Sequence, residues 1–251
     1  MTRPGIEPPS PELPPLERAV RVMDLLRSPG GCPWDAEQTH ASLTRYLLEE
    51  SYEVIEAIET GDPVLLREEL GDLLLQVLFH ARIAQESAVD GFGIDEVAGD
   101  LVAKLVRRHP HVFGDSRAGS AAELDATWER QKAVEKGRTS AVDGVPLAQP
   151  ALALSAKLLA RAQRAGIIAA PLSEERAADG GADPDAETDV GLRLFAVVQD
   201  AVAQGVDPEA ALRAAARAFR NAVLDAEALR DGRHADPDEQ NRIGRDGKTG
   251  R

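Results

Sequence analysis

The stretch EELGDLLLQVLF, residues 68–79, decides how the rest of this chain is interpreted. Glu69 and Asp72 lie three residues apart in its first half, and apolar residues then follow on nearly every side of the predicted helix. A helix with so little polar surface is expected in the centre of a bundle, with Asp72 at least partly buried. Because an unpaired buried carboxylate costs several kcal/mol, we expect a cation close to it.

A second acidic cluster comes earlier, in LLEESYEVIEAI, residues 47–58. We expect a helix over residues 42–59, capped by Thr39 or Ser42. One broad arc of this helix is apolar and consists of Leu43, Leu47, Leu48, Val54, Ile55 and Ile58. The opposite side is acidic and carries Glu49, Glu50, Glu53 and Glu56.

A short turn is predicted between these two clusters, at residues 61–63 (GDP), and the next helix is predicted over residues 63–87. Helices joined by so short a turn pack as antiparallel neighbours. The two members of the EExxE pair share one helix face, as do the two members of the ExxD pair. The hairpin therefore brings both pairs toward each other.

Carboxylates that face one another in this way are the ligands of a hard divalent cation, for which we predict Mg²⁺, with Mn²⁺ as an alternative metal. The predicted metal ligands are Glu50, Glu53, Glu69 and Asp72. Such a metal screens a triphosphate and activates a water for attack on phosphorus. Glu49 is expected to orient or deprotonate that water. A glutamate run on one helix is usually a solvated face, but two clusters on adjoining helices favour a metal site.

The composition indicates an all-α protein. Hydrophobic residues make up 43% of the 251 residues but aromatics only 4%, and no strand pattern is present. The net charge of −14 argues against nucleic-acid polymers and anionic membranes as partners. A single cysteine, Cys32, excludes an intramolecular disulfide. The sequence shows no signal peptide and no apolar run that could span a bilayer, so we expect a soluble, cytoplasmic protein.

The chain is predicted to contain two helical regions. A proline-rich arm (1–15) is expected to be disordered, the catalytic domain covers 16–136, a linker covers 137–150, and an alanine-rich region (151–230) precedes a disordered tail (231–251). The catalytic domain should include further helices over residues 16–27, 94–108 and 120–136, and an acidic loop is expected at 172–189.

The alanine-rich region resembles a degenerate repeat of the first. When Gly191 is placed on Gly71, Asp189 takes the place of Glu69, whereas Leu192 takes the place of Asp72. Nothing upstream of residue 189 reproduces the EExxE motif. Chance similarity among alanine-rich helices is the alternative.

Basic and aromatic side chains follow the acidic clusters. Lys104 and Arg108 are four residues apart and share a helix face, and Lys132 adds a further cation. These cations are candidates for holding phosphates, or else they form surface ion pairs, each worth little. Trp128 is a candidate for stacking on a base, although a lone tryptophan on a helix is more often a core or interface residue.

Taken together, the chain resembles the MazG family of the all-α NTP pyrophosphatase superfamily. The resemblance covers about residues 16–136. It rests on GCPWDAEQTH (31–40), YLLEESYEVIEAI (46–58), LREELGDLLLQVLFHARIAQE (66–86), KLVRRHPHVFGD (104–115) and WERQK (128–132).

The resemblance implies a helical bundle completed by a second subunit, and Mg²⁺-dependent hydrolysis of nucleoside triphosphates to the monophosphate and pyrophosphate. By motif, Glu50, Glu53, Glu69 and Asp72 would be metal ligands assisted by Glu49. The positions that contact the nucleotide would be Lys104, Arg108, Trp128 and Lys132. The reaction would be attack of water at the α phosphorus. Because the second copy is degenerate, the first copy would carry out this reaction. Restriction to dUTP or phosphoribosyl-ATP, or a non-catalytic nucleotide- or partner-binding module, are the alternatives.

Overall fold

The computed structural model describes residues 7–115, 119–120, 123–124, 127–128, 131–132, 135–167 and 186–230. Within these ranges the regular secondary structure is helical and no residue is in a strand, which confirms the all-α prediction. The chain divides into two compact units, residues 1–131 and 132–251. None of the described helices is long and apolar enough to cross a bilayer.

The first unit is built on a hairpin of two long helices, in agreement with the sequence pattern. Its helices are α1 (Pro15–Arg27), α2 (Pro33–Glu37), α3 (His40–Thr60), α4 (Pro63–Gln85), α5 (Ile94–Arg108) and α6 (Pro110–Phe113). Helices α3 and α4 form the most extensive packing in the chain, and α1 and α5 both contact α4.

The ends of the α3–α4 hairpin are fixed by local capping. The Thr39 hydroxyl accepts from the Ser42 N–H at 3.1 Å and the Ser42 hydroxyl accepts from the Thr39 N–H at 3.0 Å, so both predicted caps act together. Gly61 ends α3 in the left-handed conformation, with φ of 71°, which only glycine adopts without strain. Asp62 then caps α4 by accepting from Val64 and Leu65. These local signals set the helix register.

A small apolar core lies where α1, α3 and α4 meet. Its buried members are Met23, Leu43, Leu78 and Phe79. Ile94 packs against this cluster from the start of α5. The core therefore holds together the half of the hairpin that lies away from the Gly61 turn.

Apolar side chains of the hairpin remain exposed within the described residues. On α4, Leu74 and Leu75 are each 38% exposed and Val77 is 41% exposed, so its own chain does not cover this helix on all sides. On α3, Ile58 is 60% exposed, so the apolar arc is only partly buried. The short helices α2 and α6 begin at Pro33 and Pro110, because proline fits the first turn of a helix.

The second unit contains α7 (Ala151–Arg164), α8 (Ala186–Ala203) and α9 (Pro208–Arg230), and α7 contacts both of the others. Val145 and Val198 are buried in it. Arg161 is also buried, and its guanidinium donates to the main-chain oxygen of Asp143 at 2.7 Å.

Several expectations fall where the structure describes little or nothing. The predicted tail (231–251), most of the predicted acidic loop (172–185) and parts of the predicted helix over 120–136 lie outside the described residues. The predicted domain ranges and the degenerate-repeat interpretation stay predictions.

Candidate metal centre

The hairpin brings together three of the four predicted ligands. One carboxylate oxygen from each of Glu50, Glu69 and Asp72 lies within 4.8 Å of the other two. Glu50 comes from α3 and the other two from α4, so the group exists only when the helices pair. All three side chains are partly buried, as expected for Asp72.

Glu53 joins the same group although it is more exposed. It is among the groups that raise the pKa values of both Glu50 and Glu69, so it lies close to both carboxyls. The four predicted ligands therefore belong to one acidic cluster, in which like charges repel one another.

This repulsion is visible in the pKa values of two members. The pKa of Glu50 is raised above its usual value, first by partial burial and then by the charges of Asp72 and Glu53. The pKa of Glu69 is raised in the same direction, first by desolvation and then by Glu53, Asp72 and Glu68. A cation among these oxygens would relieve both effects.

Helix geometry explains why these residues converge. Residues three apart lie on one face, so each motif presents two carboxylates on adjacent turns. The Gly61 turn fixes the register of α3 against α4, which places the EExxE motif opposite the ExxD motif. Gly71, next to Asp72, has no heavy atom within 4 Å of where a Cβ would be. Steric crowding is therefore no reason for glycine at that position.

Glu49 lies at the edge of the cluster. It is exposed, and its charge contributes to the raised pKa of Glu50. It is therefore close enough to act electrostatically on the group, and its role as a base stays a prediction.

The predicted nucleotide contacts lie at the end of α5 and beyond. Lys104 is exposed and Arg108 is partly buried in the last turns of α5. The Trp128 indole donates to the main-chain oxygen of Arg108 at 2.8 Å, and its ring lies 5.1 Å from that of His109. Trp128 and Arg108 thus belong to one local cluster. Lys132 is the first residue of the second unit, and its contact with a nucleotide stays a prediction.

Sequence reasoning missed two polar contacts made by the helices of this hairpin. Arg27 is buried and makes a double hydrogen bond to Glu86 at 2.9 Å, which joins α1 to the end of α4. His40 and His80 contact each other across the hairpin. The hairpin register could have revealed the second pair, because residues 40 and 80 lie at nearly equal distances from the Gly61 turn.

The fold and the site together define an all-helical protein with an oxygen-only site suited to a hard divalent cation. The family model of the MazG nucleotide pyrophosphohydrolase domain matches residues 38–113, which include α3, α4 and α5.

Relatives extend this match over most of the chain. A nucleoside triphosphate pyrophosphohydrolase/pyrophosphatase MazG of Thermotoga maritima is 42% identical over 81% of this chain and 82% of its own length. A 26.1 kDa protein of Streptomyces cacaoi is 54% identical over 83% of this chain and 81% of its own length. The chain belongs to the MazG family.

Another relative is considerably longer. A nucleoside triphosphate pyrophosphohydrolase of Mycobacterium tuberculosis is 51% identical over 67% of this chain, and the match spans 51% of the relative. The chain thus matches about half of that relative's length.

Proposed function

We propose that this protein is a Mg²⁺-dependent nucleoside triphosphate pyrophosphohydrolase that releases pyrophosphate and the nucleoside monophosphate. The observation that carries the proposal is the convergence of Glu50, Glu69 and Asp72 within 4.8 Å. Two relatives that match 67% and 81% of this chain are named nucleoside triphosphate pyrophosphohydrolases.

The donor set fits the proposed metal. Carboxylate oxygens are the ligands that Mg²⁺ and Mn²⁺ prefer, and Glu50, Glu53, Glu69 and Asp72 would hold the ion. When bound, Mg²⁺ would offset the triphosphate charge and lower the pKa of a bound water. The raised pKa values of Glu50 and Glu69 support this assignment, because they show uncompensated negative charge in the cluster.

The other residues would position the substrate and move the proton. Water attacks the α phosphorus, a new phosphorus–oxygen bond forms, and the bond to the α–β bridging oxygen breaks with its electron pair leaving on pyrophosphate. Glu49, exposed at the edge of the cluster, accepts the proton from that water. Lys104 and Arg108 hold phosphate oxygens, and Trp128 and Lys132 contact the nucleotide.

We propose that the active form is a homodimer. The exposed apolar residues of α4 and α5 form the surface that a second copy would cover: Leu70, Leu74, Leu75, Val77, Leu101, Val102, Leu105 and Val106. The net charge of −14 supports nucleotides with bound metal as ligands and disfavours nucleic-acid polymers and anionic membranes. We place the protein in the cytoplasm.

A pyrophosphate-release assay with common, damaged and non-standard nucleoside triphosphates and Mg²⁺ tests the activity. We expect turnover by the natural chain and none above background by Glu53→Gln. Glu56→Gln is the matched control, because Glu56 is an exposed glutamate one turn further along α3. Light scattering on the same samples measures the oligomeric state.

Three outcomes would contradict the proposal or narrow it. Full activity of Glu53→Gln would remove the metal cluster from the mechanism. Tight nucleotide binding without turnover would favour a non-catalytic module. Turnover of dUTP or phosphoribosyl-ATP alone would define a substrate-restricted pyrophosphatase.

A further inference from the structure

Two histidines contact each other across the α3–α4 hairpin. The Nδ1 atoms of His40 and His80 are 2.7 Å apart, and the rings are parallel with centroids 5.0 Å apart. Two ring nitrogens at this distance form a hydrogen bond only if one carries a proton and the other does not. The pair therefore holds a single proton between its two facing nitrogens.

The pair lies toward the open end of the α3–α4 hairpin. Helices α3 and α4 are joined covalently at the Gly61 turn, and His40 and His80 lie toward the opposite end of the hairpin. The carboxylate cluster lies between the two ends, and its members repel one another. The histidine pair thus links α3 to α4 at the end of the hairpin where no turn connects them.

Two buried polar atoms beside the pair indicate which ring donates. The Nε2 atom of His80 and the Oε1 atom of Gln76 are both buried without a hydrogen-bond partner. Gln76 is 4% exposed and lies one helical turn before His80 on the same face of α4. An amide oxygen needs a donor, and His80 supplies one if its Nε2 carries the proton.

We propose that His40 and His80 form a one-proton clasp, in which His40 donates Nδ1–H to the bare Nδ1 of His80 and the Nε2–H of His80 reaches the Oε1 of Gln76 through a bridging water. A proton added to His80 must occupy its Nδ1, which removes the acceptor of the hydrogen bond from His40. The clasp opens at that step.

The electrostatic surroundings agree with a neutral His80 that accepts this hydrogen bond. The pKa of His80 is lowered, first by burial and then by the charge of His40. The charged side chains on the elements packed around this end of α4 are Asp24, Arg27, Asp35, Glu37, Arg45, Asp95 and Glu96, with Arg82 and Glu86 on α4 itself.

Most of these charges have partners elsewhere. Arg82 binds Asp24 and Glu86, while Arg27 binds Glu86. Arg45 donates to the Tyr46 hydroxyl, and Glu96 accepts from the Gly93 N–H. His40 is the charged neighbour that acts on the pKa of His80.

Long-range ¹H–¹⁵N NMR of the histidine rings in the full chain tests the proton positions directly. Near pH 8, where ordinary histidines are neutral, we expect the proton of His40 on Nδ1 and that of His80 on Nε2. His40→Ala should raise the pKa of His80 toward the usual value, and Gln76→Leu should change the Nε2–H signal of His80. Two rings with free-imidazole shifts, or a His80 titration that is the same in His40→Ala, would overturn the proposal.

Urea unfolding between about pH 7.5 and about pH 5.5 gives an independent readout. Because the folded pKa of His80 is lowered, its stabilising contribution is present above the usual value of 6.5 and is lost as the pH falls below it. The urea midpoint should therefore fall more in the natural chain than in His40→Ala. His111→Ala is the control, since that histidine lies on α6 and should leave the fall unchanged. If the urea midpoint fell equally in the natural chain and in His40→Ala, the clasp would be contradicted.

Discussion

Helices α4 and α8, which the repeat hypothesis aligns, place their acidic residues in opposite surroundings. Glu69 on α4 is surrounded by the carboxylates of Glu53, Asp72 and Glu68, which raise its pKa. Asp189, at the corresponding place on α8, lies 3.6 Å from Arg193, one turn along its own helix. Like charges surround Glu69, whereas Asp189 has a cation within its own helix. Under the repeat hypothesis, α8 would keep the hydrophobic pattern of α4 without its acidic cluster.

The largest expected difference between the two units is in catalysis. Asp72→Asn should reduce pyrophosphate release by about 100-fold or more, because it removes a proposed metal ligand. Asp189→Asn should leave the rate unchanged, because Asp189 already has Arg193 as a partner. Steady-state kinetics with a saturating nucleoside triphosphate measures both. A loss of activity in Asp189→Asn would show that the second unit takes part in the reaction.

Among the described residues, Arg27 is buried in the first unit and Arg161 in the second, and these should differ in their contribution to folding. Arg27 binds Glu86 through two hydrogen bonds and also donates to the main-chain oxygens of Asp35 and Gln38. Arg27→Ala should lower the free energy of unfolding by about 3 kcal/mol, because it leaves these partners unpaired.

Arg161 is the matched case in the second unit. Its guanidinium donates to one main-chain oxygen, that of Asp143, so Arg161→Ala should lower the free energy of unfolding by about 1–2 kcal/mol. Urea unfolding of both variants measures the difference. A larger loss of unfolding free energy in Arg161→Ala than in Arg27→Ala would contradict this prediction.

Metal should stabilise the first unit through the carboxylate cluster. At a Mg²⁺ concentration of about ten times the dissociation constant, the gain in stability should be about 1.4 kcal/mol. Glu69→Gln should abolish the gain and Asp189→Asn should retain it, because only the former removes a member of the cluster. Thermal unfolding with Mg²⁺ and with a chelator tests this. An equal gain in Glu69→Gln would place the metal elsewhere.

The smallest expected effect is a difference in how much folding stability is lost at acid pH. The hydrogen bonds from Arg27 lower the pKa of Glu86, so its contribution to stability is present above the usual value of 4.5 and is lost as the pH falls through the lowered value. Glu86→Gln should therefore show a shallower loss of stability than the natural chain between about pH 5 and about pH 3. The Arg161 hydrogen bond has a main-chain acceptor and should not contribute to this loss.

Local signals made the hairpin predictable. The caps at Thr39 and Ser42, the glycine at position 61 and the spacing of the acidic motifs are short-range features, and they define α3 and α4 to within two residues at each end. The spacing also indicated which carboxylates would share a face. Pairing of the motifs then followed from the length of the turn.

Long-range contacts were not predictable in the same way. The bond from Arg27 to Glu86 joins residues 59 apart, and no spacing rule connects them. The contact of His40 with His80 also depends on how the two helices rotate about their axes, which the sequence does not show. The exposure of Leu74 and Leu75 also depends on which neighbours cover α4.

The sequence by itself determined the helical class, the turn at Gly61 and the carboxylates carried by each helix, because capping and helical periodicity act over a few residues. Only the tertiary structure decided that the oxygens of Glu50, Glu69 and Asp72 lie within 4.8 Å, that Arg27 is buried against Glu86 and that the Nδ1 atoms of His40 and His80 lie 2.7 Å apart. These features depend on how helices rotate and pack against each other, and packing is a property of the whole assembled unit.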